Sequence, residues 1–153
     1  MIYIAHRGNI DGPNPLLENS PEYIQEAINR GYDVEIDLRV INGRLWLGHD
    51  YPQYKITKKW LLERKNNLWI HAKSFLTASW LANFGQEIVY FCHNSDSFTL
   101  TSNGKIWLHE LSQSPGQKCI VPLLSKSEIK KYKYKNFGAV CSDFILDCNQ
   151  KFK

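Results

Sequence analysis

Short apolar runs of four or five residues recur along this chain, and between them apolar residues return at helical spacing. The runs predict strands at 2–6, 33–38, 68–71, 88–92, 106–109, 119–122 and 139–142. The first intervening stretch opens on Ser20-Pro21, an N-cap followed by proline at the first helical position. Tyr23, Ile24, Ala27 and Ile28 then mark one face, and Gly31 supplies the stop. A second helix is predicted over 57–65, with Trp60, Leu61 and Leu62 as its apolar stripe, and a third over 75–84, ending at Gly85 in a C-cap position. A short polar piece runs from Ser95 to Asn103-Gly104, and 125–134 is the last predicted helix.

Repeated β-then-α order predicts a parallel sheet with helices outside it. An eighth apolar run, 45–48, follows the hairpin signal Asn42-Gly43 and is expected to pair locally. The connection from His109 to Cys119 is too short and turn-rich for a full helix. The expected fold is therefore α/β, a compact (β/α) barrel of the TIM type with seven to eight parallel strands, occupying 1–153 as one domain. Such barrels normally take about 250 residues and rarely fewer than about 200. A chain of 153 residues would hold a stripped-down or incomplete version.

Composition changes this picture little. Aromatic residues reach 13%, five of them Trp, which helps a short chain fill its interior. No apolar run approaches the roughly eighteen residues that span a bilayer, and the first strand run starts at residue 2 without a signal-peptide pattern. A cytoplasmic location is the expectation. Cys92, Cys119, Cys141 and Cys148 lack C-x-x-C spacing, and the first three sit in apolar runs, so they read as buried thiols rather than structural zinc ligands. The net charge is +4, partly concentrated in the lysine-rich stretch 126–135. Lysines interleaved with tyrosines fit nucleic-acid binding, but a solvated amphipathic helix explains them more simply, and no nucleic-acid partner is expected.

The first fifty residues carry the chemistry. Glu35 and Asp37 stand two apart on a predicted strand, so their side chains share one face. Val34, Ile36 and Leu38 face the other way, towards the helices, which turns the two carboxylates into the barrel. Unpaired charge is costly there, and like charges raise one another's pKa unless a cation lies between them. A hard cation such as Mg²⁺ or Ca²⁺ answers that need. All five histidines, His6, His49, His71, His93 and His109, fall at or just past the end of an apolar run. In a barrel those ends meet at the C-terminal rim, where active sites form. His6 and His49 suit acid–base work near neutral pH. Arg7 can grip phosphate oxygens in a fork, and Gly8 permits a tight turn beside it. Lys73 follows His71 by two residues and could reach the same rim as a phosphate-binding cation. Asp50 could orient His49 or simply end the hairpin.

Taken in order, His6-Arg7-Gly8, Glu18-Asn19-Ser20, Gly31-Tyr-Asp-Val-Glu35-Ile-Asp37-Leu38, Asn42-Gly43 and Leu45-Trp-Leu-Gly-His49-Asp50 form a recognisable set. The chain resembles the glycerophosphodiester phosphodiesterase family, whose phospholipase-C-like barrel also hosts phosphatidylinositol-specific phospholipases and spider-venom-type phospholipases D. Ile70-His71-Ala72-Lys73 and Val140-Cys141-Ser142-Asp143 look like the third and final strands of that family. The resemblance implies one divalent metal at the rim, with Glu35 and Asp37 as ligands and His6 and His49 as the catalytic pair. It also implies a phosphate contact from Arg7 and support from Glu18. The family usually places a third acidic ligand where this chain has His71. A nitrogen ligand there would move preference from Mg²⁺ or Ca²⁺ towards Mn²⁺ or Zn²⁺, unless Glu110 or Asp143 takes over.

The resulting expectation is a metal-dependent phosphodiesterase acting on a small glycerophosphodiester-like substrate. Two alternatives stay open: a phospholipase D-like lyase releasing a cyclic phosphate, and a catalytically inactive barrel that binds a phosphorylated ligand. An open barrel edge would favour cover by a second copy of the chain, so a homo-oligomer is also open.

Overall fold

The computed structural model describes residues 1–111 and 114–153. Its elements run β1 (Ile2–His6), α1 (Pro21–Asn29), β2 (Asp33–Ile41), β3 (Arg44–Leu47), β4 (Tyr54–Ile56), α2 (Lys58–Glu63), β5 (Leu68–Ala72) and α3 (Phe75–Ala82). There follow β6 (Tyr90–Phe91), β7 (Phe98–Leu100), β8 (Ile106–Leu108), β9 (Cys119–Pro122), α4 (Lys126–Lys131), β10 (Ala139–Ser142) and α5 (Ile145–Phe152). Parallel pairing links β6, β5, β2, β1, β10, β9 and β8 in that spatial order. The antiparallel hairpin β3–β4 branches from the far half of β2, and β7 lies antiparallel on β8.

The sheet curls until its ends approach, bringing the Phe91 ring of β6 to 4.2 Å from that of Trp107 of β8. Among the described residues no ladder joins β6 to β8, so the sheet is curled, mixed and open. The expected barrel of seven to eight parallel strands is corrected on that point. The physical reason lies between β6 and β8, where the polar piece expected to stand between two strands is itself a strand, β7. It turns at Asn103-Gly104 straight back into β8 instead of crossing over through a helix. The seam is held by single contacts: Ser102 donates its backbone N–H to Tyr90 O at 2.8 Å, and the Ser102 hydroxyl accepts from Tyr90 N at 3.0 Å.

Alternation along the strands builds two apolar layers. Outside the sheet, Val34, Ile36 and Leu38 pack in one cluster with Ile24 and Ala27 of α1, Leu61 of α2, Leu81 of α3, and Ile145 and Cys148 of α5. Inside it, Ile4, Trp69, Phe91, Trp107, Ile120, Ala139 and Cys141 form a second cluster. Helix starts follow the sequence: Ser20, Thr57, Ser74 and Ser125 each cap a helix through the side chain, and Ser125 with Glu128 completes a capping box. Besides β7, two elements were not expected, the short strand β4 and the terminal helix α5, so 125–134 does not hold the last helix. Cys92 is exposed, against the expectation of a buried thiol, while Cys119, Cys141 and Cys148 are buried and free. No helix among the described residues is long and apolar enough to cross a membrane. The turn-rich 109–119 connection includes Ser112 and Gln113, which lie outside the described residues.

Candidate metal centre and active-site cavity

The C-terminal ends of β1, β2 and β5 carry the charged side chains. After β1 the chain turns abruptly, with Arg7 at φ 53° and Gly8 at φ 91°. A Cβ on Gly8 would meet Tyr23 Cδ1 at 2.9 Å, so glycine is required by space as well as by backbone. Asn19 also sits in the left-handed region, at φ 64°, and holds Asp37 from two sides. Its Nδ2 donates to Asp37 Oδ2 and its Oδ1 accepts from Asp37 N, both at 2.9 Å. Short polar Asn tolerates this conformation better than most residues.

Glu35 is 3% exposed and Asp37 is fully buried, both facing the inside of the curl as the alternation requires. His71 Nδ1 lies 3.1 Å from Asp37 Oδ1 and 3.9 Å from Glu35 Oε1. One donor atom from each of Glu35, Asp37 and His71 falls within a 4.8 Å group, a set able to hold a metal ion. Around it stand Arg7 Nε, 3.2 Å from Asp37 Oδ2, and Lys73 Nζ, 3.4 Å from Asp37 Oδ1. Glu35 Oε2, Asp37 Oδ1 and Arg7 Nε are nevertheless buried without an aligned hydrogen bond. Buried carboxylate oxygens lacking partners, with an imidazole nitrogen beside them, fit a cation that they share.

Burial pushes the Glu35 pKa up, and the Asp37 charge pushes it further. At Asp37 burial also acts upward, but the His71 imidazole beside it and the charges of Arg7 and Lys73 outweigh it, and the carboxyl ends well below the usual range. Neighbouring acids pushed apart in this way are common at functional sites.

His6 hangs between two acids. Its Nδ1 is 2.7 Å from Asp143 Oδ1, and its Nε2 is 3.8 Å from Glu35 Oε2. Burial works against protonating the ring, yet the Asp143 hydrogen bond and the Glu35 charge prevail and raise its pKa. Asp143 also accepts from Asn9 Nδ2 at 2.7 Å, and Glu18 ties the same network by accepting from Asn9 Nδ2 at 2.9 Å and Arg7 Nη1 at 3.1 Å. Asp143 thus orients a histidine and stands outside the metal group, and Glu110 is exposed, so neither replaces His71. On the β3–β4 loop, His49 Nδ1 lies 2.8 Å from Asp50 Oδ1. Arg39 donates from Nε to Gly48 O at 3.0 Å and also bonds His49 O, which fixes that loop over β2.

These groups meet in one cavity of about 310 Å³. Its lining includes His6, Arg7, Glu35 and His49, and all five histidines of the chain face it. The side formed by β6, β8, β9 and β10 is different: Phe91, Trp107, Pro122, Leu124 and Cys141, with His93 and His109 stacked at 3.3 Å between ring centroids. His93 and His109 both have lowered pKa values, chiefly from burial, and that of His109 falls to about 4.

Of the residues singled out in the sequence, Glu35, Asp37, His71, Arg7, Lys73, His6 and Glu18 join one contact network. His49 reaches the cavity from its own loop with Asp50 beside it. Asn9, Asn19, Arg39 and the aromatic wall were not anticipated as parts of the site, and Asp143 was anticipated only as a ligand. Asn19 stood inside a quoted motif, and its place before the Ser20 cap was its one visible signal.

No family model matches the chain, and no curated protein matches it. Among solved structures it is similar to a glycerophosphodiester phosphodiesterase from Parabacteroides distasonis ATCC 8503. The two are 13% identical over 99% of this chain and 77% of that one, with a TM-score of 0.44.

Proposed function

We propose that the protein is a metal-dependent phosphodiesterase that cleaves a small glycerophosphodiester-like substrate by His6/His49 acid–base chemistry. The observation that carries this reading is one cavity holding both histidines, each backed by a carboxylate, next to the Glu35–Asp37–His71 group. The ordered motifs of the first fifty residues support the same reading.

Glu35, Asp37 and His71 would hold one divalent ion. When bound, it would lower the cost of charge developing on the phosphoryl oxygens. Arg7 grips a phosphate oxygen while Glu18 fixes its guanidinium, and Lys73 adds a second positive charge from β5. His49 takes the proton of the attacking hydroxyl as the new P–O bond forms. His6, held by Asp143, returns a proton to the alkoxide as the old P–O bond breaks. If the attacking hydroxyl belongs to the substrate, the product is a cyclic phosphodiester; if it belongs to water, it is a monoester.

The test is a divalent-metal titration of the purified protein followed by a hydrolysis assay on a diester with a poor leaving group. Phosphorus NMR then separates cyclic from open product. Metal-dependent cleavage is the expected result; metal binding with no cleavage of any diester would sink the reading and leave a catalytically inactive protein that binds a phosphorylated ligand.

A further inference from the structure

We propose that His93 completes the metal centre as a second imidazole ligand, so that the ion held by Glu35, Asp37 and His71 sits in a set of two nitrogens and two oxygens. This rests on the reading of those three residues as the metal group. His93 lies just past β6, the strand paired with β5, which carries His71. It is outside the tight 4.8 Å group, and its ring stands beside that of His71, with centroids 6.4 Å apart and planes tilted by 40°.

That spacing lies at the outer limit for two imidazoles on one ion. With a metal–nitrogen bond of about 2.1 Å, a ring centroid sits roughly 3.2 Å from the ion. Two such rings are about 5 Å apart in a tetrahedral site and about 6.4 Å apart at the linear limit. His93 therefore needs to close on His71 by about an ångström; χ2 rotation turns the ring without displacing its centroid, so a small shift of the irregular segment after β6 has to supply that movement.

Of the other imidazoles, His6 and His49 carry the acid–base roles of the proposed reaction, although His6 Nε2 also lies 3.8 Å from Glu35 Oε2. His6 Nδ1 is engaged by Asp143, and His49 Nδ1 by Asp50 on a separate loop. His93 Nδ1 is buried and has no hydrogen-bond partner; His109 Nε2 is likewise unpartnered, but it is the His93 ring that stands 6.4 Å from that of His71. A buried polar atom without a partner calls for an explanation, and a missing ligand bond supplies one. His109 stacks on the His93 ring at 3.3 Å and an interplanar angle of 16°, which places it as a positioning residue that fixes the ring plane. Two nitrogens with two carboxylate oxygens favour a borderline transition ion such as Zn²⁺, Mn²⁺ or Co²⁺ over Mg²⁺ or Ca²⁺.

The experiment is calorimetry with Zn²⁺ and Mg²⁺ on the whole chain, wild type beside His93→Ala and Glu35→Gln, together with pulsed electron paramagnetic resonance on Cu²⁺-loaded wild type. The proposal expects His93→Ala to weaken Zn²⁺ binding at least about tenfold with Mg²⁺ binding little changed. It expects the Cu²⁺ spectrum to show two coupled imidazoles. Unchanged Zn²⁺ affinity in His93→Ala, or a single coupled imidazole in wild type, would overturn it, and the spectrum decides the matter even if the variant misfolds. No metal binding by any form would overturn both this inference and the metal reading beneath it. A His93-dependent site in a protein that cleaves no diester would leave the ligand set standing and remove only the enzymatic reading.

Discussion

The two walls of the cavity are built on opposite principles. The wall from β1, β2 and β5 is ionic: Glu35, Asp37, Arg7 and Lys73 crowd together, and several of their atoms lack aligned partners. The wall from β6, β8, β9 and β10 is aromatic and apolar, packed through the Phe91–Trp107 stack into the inner core. The first wall concentrates charge in a place where folding gains nothing from it, and the second supplies the cohesion that lets the first persist. Natural proteins keep strained or unsatisfied groups mainly where function needs them.

The largest effect should follow from dismantling the ionic wall. Exchanging Glu35 and Asp37 together for Gln and Asn should abolish divalent-ion binding by calorimetry and drop diester cleavage by at least about 10⁴-fold, to background. Replacing Trp107 by Phe on the opposite wall should leave kcat essentially unchanged. Equal damage from both would erase the distinction between the walls. Next in size, His6→Ala and His49→Ala should each cost about 10²–10⁴-fold in kcat with circular dichroism unaltered. Wild-type turnover in both variants on a poor leaving group would show that the acid–base assignment is wrong.

The ionic wall was also the more legible half. Strict alternation in Val34-Glu35-Ile36-Asp37-Leu38 fixed which side each residue faces, because a strand has only two sides. The strands Cys119–Pro122 and Ala139–Ser142 lie where their apolar runs are. The seam of the curl was not legible. Phe98-Thr-Leu100 is short, and its two large side chains are exposed, so no buried face gave it a period, and its pairing with β8 depends on a turn. Nor could the chain order show that Asp143 backs His6, since 137 residues separate them and only the β1–β10 ladder brings them together. The α5 helix lacks a side-chain cap and so carried no start signal.

Asp143→Asn refines the comparison at a smaller scale. The hydrogen bond to a charged partner contributes about 1.5–3 kcal/mol, so kcat should fall roughly 10- to 100-fold. Asp143 helps to raise the His6 pKa, so its loss should let His6 deprotonate at lower pH, moving the alkaline limb of the kcat profile downwards. A limb that stays in place would mean that His6 is not the group titrating there.

The smallest effect has the opposite sign to the others, and it tests the idea that the ionic wall costs stability. Glu35 is buried beside Asp37, and both burial and that neighbouring charge raise its pKa. In the unfolded chain it ionises at its ordinary, lower pKa, so folding of the metal-free protein is opposed progressively as pH rises above that value. Glu35→Gln keeps the shape, removes the charge and should stabilise the metal-free protein by about 1 kcal/mol near neutral pH. The gain should vanish as pH falls below the ordinary carboxylate range, where Glu35 is protonated in both states. Adding metal should reverse the order, because the wild type gains binding energy that the variant has lost. Urea denaturation across pH, with and without divalent ion, reads all three. If Glu35→Gln proves less stable than wild type in chelator at neutral pH, Glu35 is a satisfied structural acid, and the contrast between the two walls is one of composition alone.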